Sequence, residues 1–205
     1  MYISKLKILT VATLAILSAN FLYAQTIVKT DTIIPRKHYF VLYIGGGFST
    51  YIAPINISSI GLPNSIKRNS AAFTARLMWY PNHKLRLGFE TGYTNFYSYK
   101  VSNGNNKGSV NLNAIPLLLV WSMPIIKRVN IFAGFGSYIL ASQLNYNGIV
   151  NASIFSLGSN IALSYTIEFS KRAGIAAEAK WMNAFETKDA ALSLQVQLIW
   201  KFIQL

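Results

Sequence analysis

ALSLQVQLIWKFIQL, the segment from Ala191 to Leu205, alternates in character along most of its length. Leu192, Leu194, Val196, Leu198, Trp200 and Phe202 fall on one side, and Ser193, Gln195, Gln197 and Lys201 on the other. Successive side chains of an extended chain point to opposite faces, so this period describes a strand with one apolar face and one mostly polar face. The pattern recurs in FSLGSNIALSYTIEF, where Phe155, Leu157, Ile161, Leu163, Tyr165, Ile167 and Phe169 alternate with Ser156, Asn160, Ser164 and Glu168. In AAFTARLMWY, Phe73, Ala75, Leu77 and Trp79 oppose Thr74, Arg76, Met78 and Tyr80; in LRLGFETGY, Leu85, Leu87, Phe89 and Tyr93 oppose Arg86, Gly88, Glu90 and Gly92. No stretch of the mature chain reads as a long amphipathic helix.

The most apolar run after the N-terminus, NAIPLLLVWSMPII from Asn113 to Ile126, has a proline near each end. A helix crossing a bilayer needs about 20 apolar residues, and a tilted membrane strand only about 9 to 11. The run fits a strand, with Ile115, Leu117, Leu119 and Trp121 facing lipid and Leu118 and Val120 facing inward. Pro124 is expected to begin a turn, and Pro116 to forfeit a ladder hydrogen bond at a bulge.

After a polar lead (residues 25–37), turn signals divide the chain into eight expected strands: His38–Tyr51, Ala71–Tyr80, Leu85–Tyr99, Val110–Met123, Val129–Ser142, Ser153–Glu168, Ala173–Glu186 and Ala191–Ile203. The connections alternate: Ile52–Ser70, PNHK, KVSNGNNKGS, PIIKR, QLNYNGIVNA, FSKR and a final short TKDA. Tight turns on one side and longer loops on the other are the layout of an outer-membrane barrel. The expected fold is therefore all-β, an eight-stranded antiparallel up-and-down transmembrane barrel over residues 38–205, its last strand closing on its first to remove the sheet edges.

Composition agrees. The 205 residues are 52% hydrophobic and 14% aromatic but only 12% charged, about half the charged share of a soluble domain. Cysteine is absent, which excludes disulfides, thiolate metal sites, a cysteine nucleophile and a lipidated cysteine. A net charge of +13 invites a nucleic-acid reading. However, the N-terminus places Lys5 and Lys7 before an apolar stretch, Ile8–Leu17, and small residues ending at Ala24. This is the pattern of a secretory signal peptide over residues 1–24, with Ala19 as a second cleavage site and a retained anchor as the other reading. Losing its two lysines takes +13 to +11, and an exported chain does not meet nucleic acid.

A soluble eight-stranded carrier barrel would show the same alternation with the faces reversed. The face holding Trp79, Leu87, Phe89, Trp200 and Phe202 is too bulky to fill a narrow bore. The other holds Arg76, Arg86, Glu90, Glu168, Glu178, Lys180 and Lys201, with Gln195 and Gln197, and includes half of the six acidic residues. Burying such charges unpaired costs several kcal/mol each, so a charged lumen network is expected, serving as a static plug or as a gated ion path. A three-residue turn at Pro81–His83 would set Arg86 opposite Met78 and Thr74 opposite Glu90, with Arg76 and Glu90 as a diagonal pair.

The run LNAIPLLLVWSMPIIKRVNIFAGFGSYI, following the first strand YFVLYIGGGFS, resembles the outer-membrane beta-barrel domain family of Bacteroidota, relatives of the small OmpA and OmpX type of barrel. The motifs are Ile115–Leu119, the basic turn Lys127–Arg128 and Gly134–Tyr138. The resemblance covers nearly all of the mature chain and implies architecture rather than chemistry. It leaves two functional expectations: a structural or interaction barrel working through its outer loops, Ile52–Ser70 above all, or a transport-class barrel, either a narrow channel or an accessory of a secretion system like the PorT-type relatives.

Catalysis is not expected. The two histidines, His38 and His83, fall on the periplasmic rim, away from any nucleophile or acid at the outer leaflet, and no metal or cofactor is indicated. Gly45, Gly46 and Gly47 do not form GxGxxG. Lys84, Lys127, Arg128, Lys171 and Arg172 fall at periplasmic turns, where anionic headgroups or an envelope protein are the candidate partners. On the other side, Lys67, Arg68, Lys100, Lys107 and Lys188 would neighbour lipopolysaccharide phosphates. A monomer is expected.

Overall fold

The computed structural model describes residues 38–55, 63–81, 84–103, 106–145 and 149–204; the expected signal peptide, the polar lead and His83 lie outside them. Residues Lys37–Leu205 form one compact unit. All regular structure among the described residues is strand: β1 (Tyr39–Tyr51), β2 (Pro63–Lys67), β3 (Asn69–Tyr80), β4 (Arg86–Asn103), β5 (Asn106–Ile126), β6 (Val129–Asn145), β7 (Ile149–Glu168), β8 (Ala173–Ala184) and β9 (Asp189–Gln204).

Eight of these form a closed antiparallel up-and-down barrel. β1 pairs with both β3 and β9, and the β4–β5 ladder completes the ring. β2 is not a barrel stave. It continues the line of β3 beyond Arg68, pairing with the far end of β4 through Ile66 and Tyr99. No expectation covered it, because it lies in what reads as a loop.

The pleat sorts the side chains as the alternation requires. Phe48, Leu194, Phe89 and Trp200 stand 78%, 70%, 68% and 57% exposed on the outside, while Arg76, Glu90, Glu178, Lys180 and Gln197 are buried in the bore. Apolar residues outside and charges inside are the reverse of a soluble barrel.

The strands differ in length, and this shapes one end. β1, β3 and β8 have 13, 12 and 12 residues, close to what a bilayer needs, whereas β4, β5, β6 and β7 have 18, 21, 17 and 20. Two of the expected long loops are therefore mostly strand. The β4–β5 ladder continues to Asn103 opposite Asn106, and the β6–β7 ladder to Asn145 opposite Ile149. Ser- and Asn-rich sequence reads as loop, but here backbone pairing carries the hairpins past the apolar band. β4 to β7 thus form a wall over one half of the rim, while β8 stops at Ala184 and β9 starts at Asp189.

Three local expectations change. Pro124 does not start the turn; it pairs with Asn130, and a bulge follows before the two-residue turn Lys127–Arg128. Pro116 is not at a bulge, since Thr91–Leu117 and Thr94–Ala114 keep one register and Gly92 lies opposite Pro116 in a gap of the ladder. The bulge falls later, at Phe96, between Asn95 and Tyr97. The proline ring lacks the donor that would have faced Gly92, and the ladder resumes on either side. On its other edge Pro116 pairs with Tyr138, and Leu118 with Gly136. The two apolar motifs that carry the family resemblance are therefore the facing strands of one hairpin.

The third change is register. Met78 pairs with Gly88 and Arg76 with Glu90, two residues from the expected alignment, because the β3–β4 connection is longer than a three-residue turn. Arg76 and Glu90 are directly opposite instead of diagonal.

Candidate functional site: charges inside the barrel

Arg76 on β3, Glu90 on β4 and Glu178 and Lys180 on β8 converge in the middle of the bore, each at most 2% exposed. Arg76 and Glu90 are brought together by cross-strand pairing, and Glu178 and Lys180 are successive inward positions of one strand. The Arg76 guanidinium donates from Nε to Glu90 Oε2 at 2.6 Å and from its two terminal nitrogens to both Glu178 oxygens at 2.8 and 3.2 Å. Lys180 Nζ donates to Glu90 Oε1 at 2.8 Å and to Thr74 Oγ1 at 2.9 Å, and lies 3.3 Å from Glu178 Oε1. Two cations face two anions, so the buried quartet carries no net charge.

Neutral partners complete it. Asn160 Nδ2 donates to Glu90 Oε1 at 2.7 Å and Gln197 Nε2 to Glu178 Oε1 at 2.9 Å. Arg76 lies over the Phe132 ring, 4.1 Å from its centroid, a cation–π contact that strengthens when desolvated. Gly134 provides the room for Asn160, because a Cβ there would collide with the Asn160 side-chain oxygen. The Asn160 and Phe132 contacts were not among the sequence expectations. Their inward parity was readable, but partners across the bore depend on the barrel's register.

Arg86, Glu168 and Lys201 do not join this quartet. Tyr43 and Tyr80 intervene: Arg76 lies 5.8 Å from the Tyr43 ring centroid, the two phenol oxygens hydrogen-bond to each other, and Arg86 stacks on Tyr80 at 4.0 Å. Below that layer the turn end of the barrel opens into a vestibule of about 600 Å³. There Arg86 donates to Asn130 Oδ1 at 3.1 Å and Lys201 to Glu168 at 2.8 Å. Glu168 is exposed, since β7 ends there. Lys84, Lys127, Arg128, Lys171 and Arg172 are exposed at the same end, and Arg128 reaches the Tyr165 hydroxyl at 3.4 Å.

The chain is similar to small bacterial outer-membrane barrels. Solved structures that match include the attachment invasion locus protein Ail of Yersinia pestis, with 9% identity over 82% of this chain and 100% of that one at a TM-score of 0.48. OprG of Pseudomonas aeruginosa matches with 13% identity over 79% and 95% at 0.47, and Neisserial surface protein A with 12% over 80% and 97% at 0.44. No protein-family model and no curated protein matches.

Of the two histidines, His38 lies beside Trp79 with ring centroids 5.9 Å apart. Among the described residues no group of three His, Cys, Asp or Glu side chains is placed to hold a metal ion.

Proposed function

We propose that this chain is an integral outer-membrane barrel with a plugged bore, and that it acts as an interaction protein through the end where β4 to β7 stand tall. The observation that carries this reading is an edge of β7 that is unpaired among the described residues. Residues Ile149–Phe155 pair with β6 on one side only: β8 reaches as far as Ala184 opposite Gly158, and just past it Phe185 N donates to the Leu157 carbonyl at 2.8 Å and Glu186 N to Ser156 Oγ at 3.3 Å. Ile149, Val150, Ile154 and Phe155 are 56–66% exposed along that edge. Proteins usually blunt or cover such an edge, and a free apolar one suits strand addition by a partner. Recognition thus moves from the Ile52–Ser70 connection to β7.

Membrane residence is supported by the inverted pleat, because a closed barrel satisfies its backbone internally while its outer face is apolar. The buried quartet supports a plug. Closure leaves no free edge among the barrel staves within the apolar band, which favours a monomer. Lys67, Arg68, Lys100 and Lys188 would lie near lipopolysaccharide phosphates, and membership of the Bacteroidota barrel family rests on the Ile115–Leu119 and Gly134–Tyr138 hairpin.

The absence of cysteine makes the test clean. Val150→Cys is expected to react with a membrane-impermeant maleimide on intact cells, and Lys171→Cys only after the outer membrane is permeabilised; the opposite pattern refutes the orientation. Envelope proteins co-purifying with the wild type should be lost with Ser153→Pro, which removes a backbone donor from the free edge, since Ser153 turns its N–H away from β6 on the side where Leu157 accepts from Phe185. Unchanged recovery would refute the role of β7.

A further inference from the structure

We propose that the vestibule at the turn end of the bore is a binding site for a compact polyanion of the diphosphate class. Its wall carries five cations, Arg86, Lys127, Arg128, Lys171 and Lys201, against one carboxylate, Glu168. Lys201 is the one paired with Glu168, and among the described residues the other four make no ion pair. The contrast with the middle of the same bore is informative. Where no ligand can reach, cations and anions balance two against two and every carboxylate oxygen accepts a hydrogen bond; where solvent enters, the balance is four cations in excess. Uncompensated like charges around a concave, low-dielectric wall repel one another and concentrate anions from solution.

The cations are of two kinds. Arg86 is held at the inner end, over the Tyr80 ring and anchored through one terminal nitrogen to Asn130, and among the described residues its remaining N–H groups have no acceptor. A fixed guanidinium offers the paired donors that suit a phosphate. Lys127 and Lys171 are exposed in the turns at the mouth, where mobile ammonium groups can meet a second charge. One anchored arginine inside and lysines outside suit a ligand with at least two linked anionic groups, and about 600 Å³ leaves room for more than the phosphates. Such a ligand could be soluble or be the headgroup of an anionic lipid. Only the side from which it arrives depends on the outer-membrane reading; binding itself does not.

The test uses the full mature chain folded in uncharged detergent micelles and titrated calorimetrically with inorganic pyrophosphate. Saturable one-site binding that weakens as salt is raised is expected, since screening acts on solvent-reached charges. Lys127→Gln with Lys171→Gln should weaken it by roughly tenfold, and Glu168→Gln should tighten it by roughly threefold by removing the one carboxylate among the described residues of the wall and releasing Lys201. The tightening is a change that a purely structural role for Glu168 would not give. All three positions are exposed or at a rim, and heat-shifted gel migration checks that each variant folds. Absence of saturable binding, or affinities unmoved by either change, overturns the proposal. A second arm adds neutral vesicles with and without phosphatidate. Competition with pyrophosphate assigns the site to a lipid headgroup, and its absence assigns it to a soluble diphosphate. Failure of the outer-membrane reading would show in the cysteine labelling and leave this titration unchanged.

Discussion

Lys180→Met removes one charge from the quartet while keeping most of the side-chain volume. Its Nζ contacts Glu90 at 2.8 Å, Thr74 at 2.9 Å and Glu178 at 3.3 Å, so the variant leaves two buried carboxylates sharing one guanidinium. Breaking a buried pair by removing one partner costs about 3–5 kcal/mol, mostly through the charge left behind. Glu90→Gln leaves the opposite imbalance and should cost a similar amount. The double variant should cost less than either, because Arg76 and Glu178 remain as a two-pronged neutral pair with contacts of 2.8 and 3.2 Å. The coupling is therefore expected to be about 3 kcal/mol or more, favouring the double. Urea unfolding of the chain in lipid vesicles, followed by tryptophan fluorescence, gives all three free energies. Additive losses, or a loss below about 1 kcal/mol for Lys180→Met alone, would refute the claim that the quartet is held by charge balance in a dry bore.

Further outcomes follow from the same geometry. Leu194→Arg, at a position 70% exposed on the outer face, should cost about 2–4 kcal/mol in vesicles, whereas a water-facing site would tolerate it. Gly134→Val should displace Asn160 from Glu90 and lose about 1–3 kcal/mol through overpacking, measured by the same unfolding series. Unboiled protein should migrate differently from boiled protein on a denaturing gel, and identical migration would argue against a closed barrel.

Much of the barrel was legible because its pleat is written in side chains of opposite character. Trp79, Leu87, Phe89, Trp200 and Phe202 cannot be packed into a narrow bore, which tells inside from outside. What failed was set by the backbone or by register. The ends of β4 to β7 mix polar residues with apolar ones that do not alternate, such as the neighbours Ile149 and Val150, so their pairing leaves no periodic trace, and β2 has no apolar pattern. The two-residue error at Arg76 and Glu90 came from the β3–β4 connection, whose length sequence does not specify. The same limit explains why the inner face was read as one network. Arg86 and Lys201 share the parity of Arg76, but parity says nothing of height along the bore, where Tyr43 and Tyr80 divide them.

That division bears on whether the bore conducts. Opening a path through the quartet requires parting at least one buried ion pair at a cost of about 3–5 kcal/mol, which holds the open state to roughly one molecule in a hundred to one in several thousand. A wild-type barrel in a planar bilayer should therefore show almost no discrete steps. Arg76→Ser with Glu178→Ser removes the bulk of the plug and leaves Lys180 and Glu90 as a neutral pair at 2.8 Å, so the bore gains open volume without gaining net charge. Regular steps from this variant and none from the wild type are the expected result. Steps of the same size and frequency in both would mean that ions do not pass through the quartet, or that it is open far more often than its ion pairs allow, and the plugged-bore reading would fail.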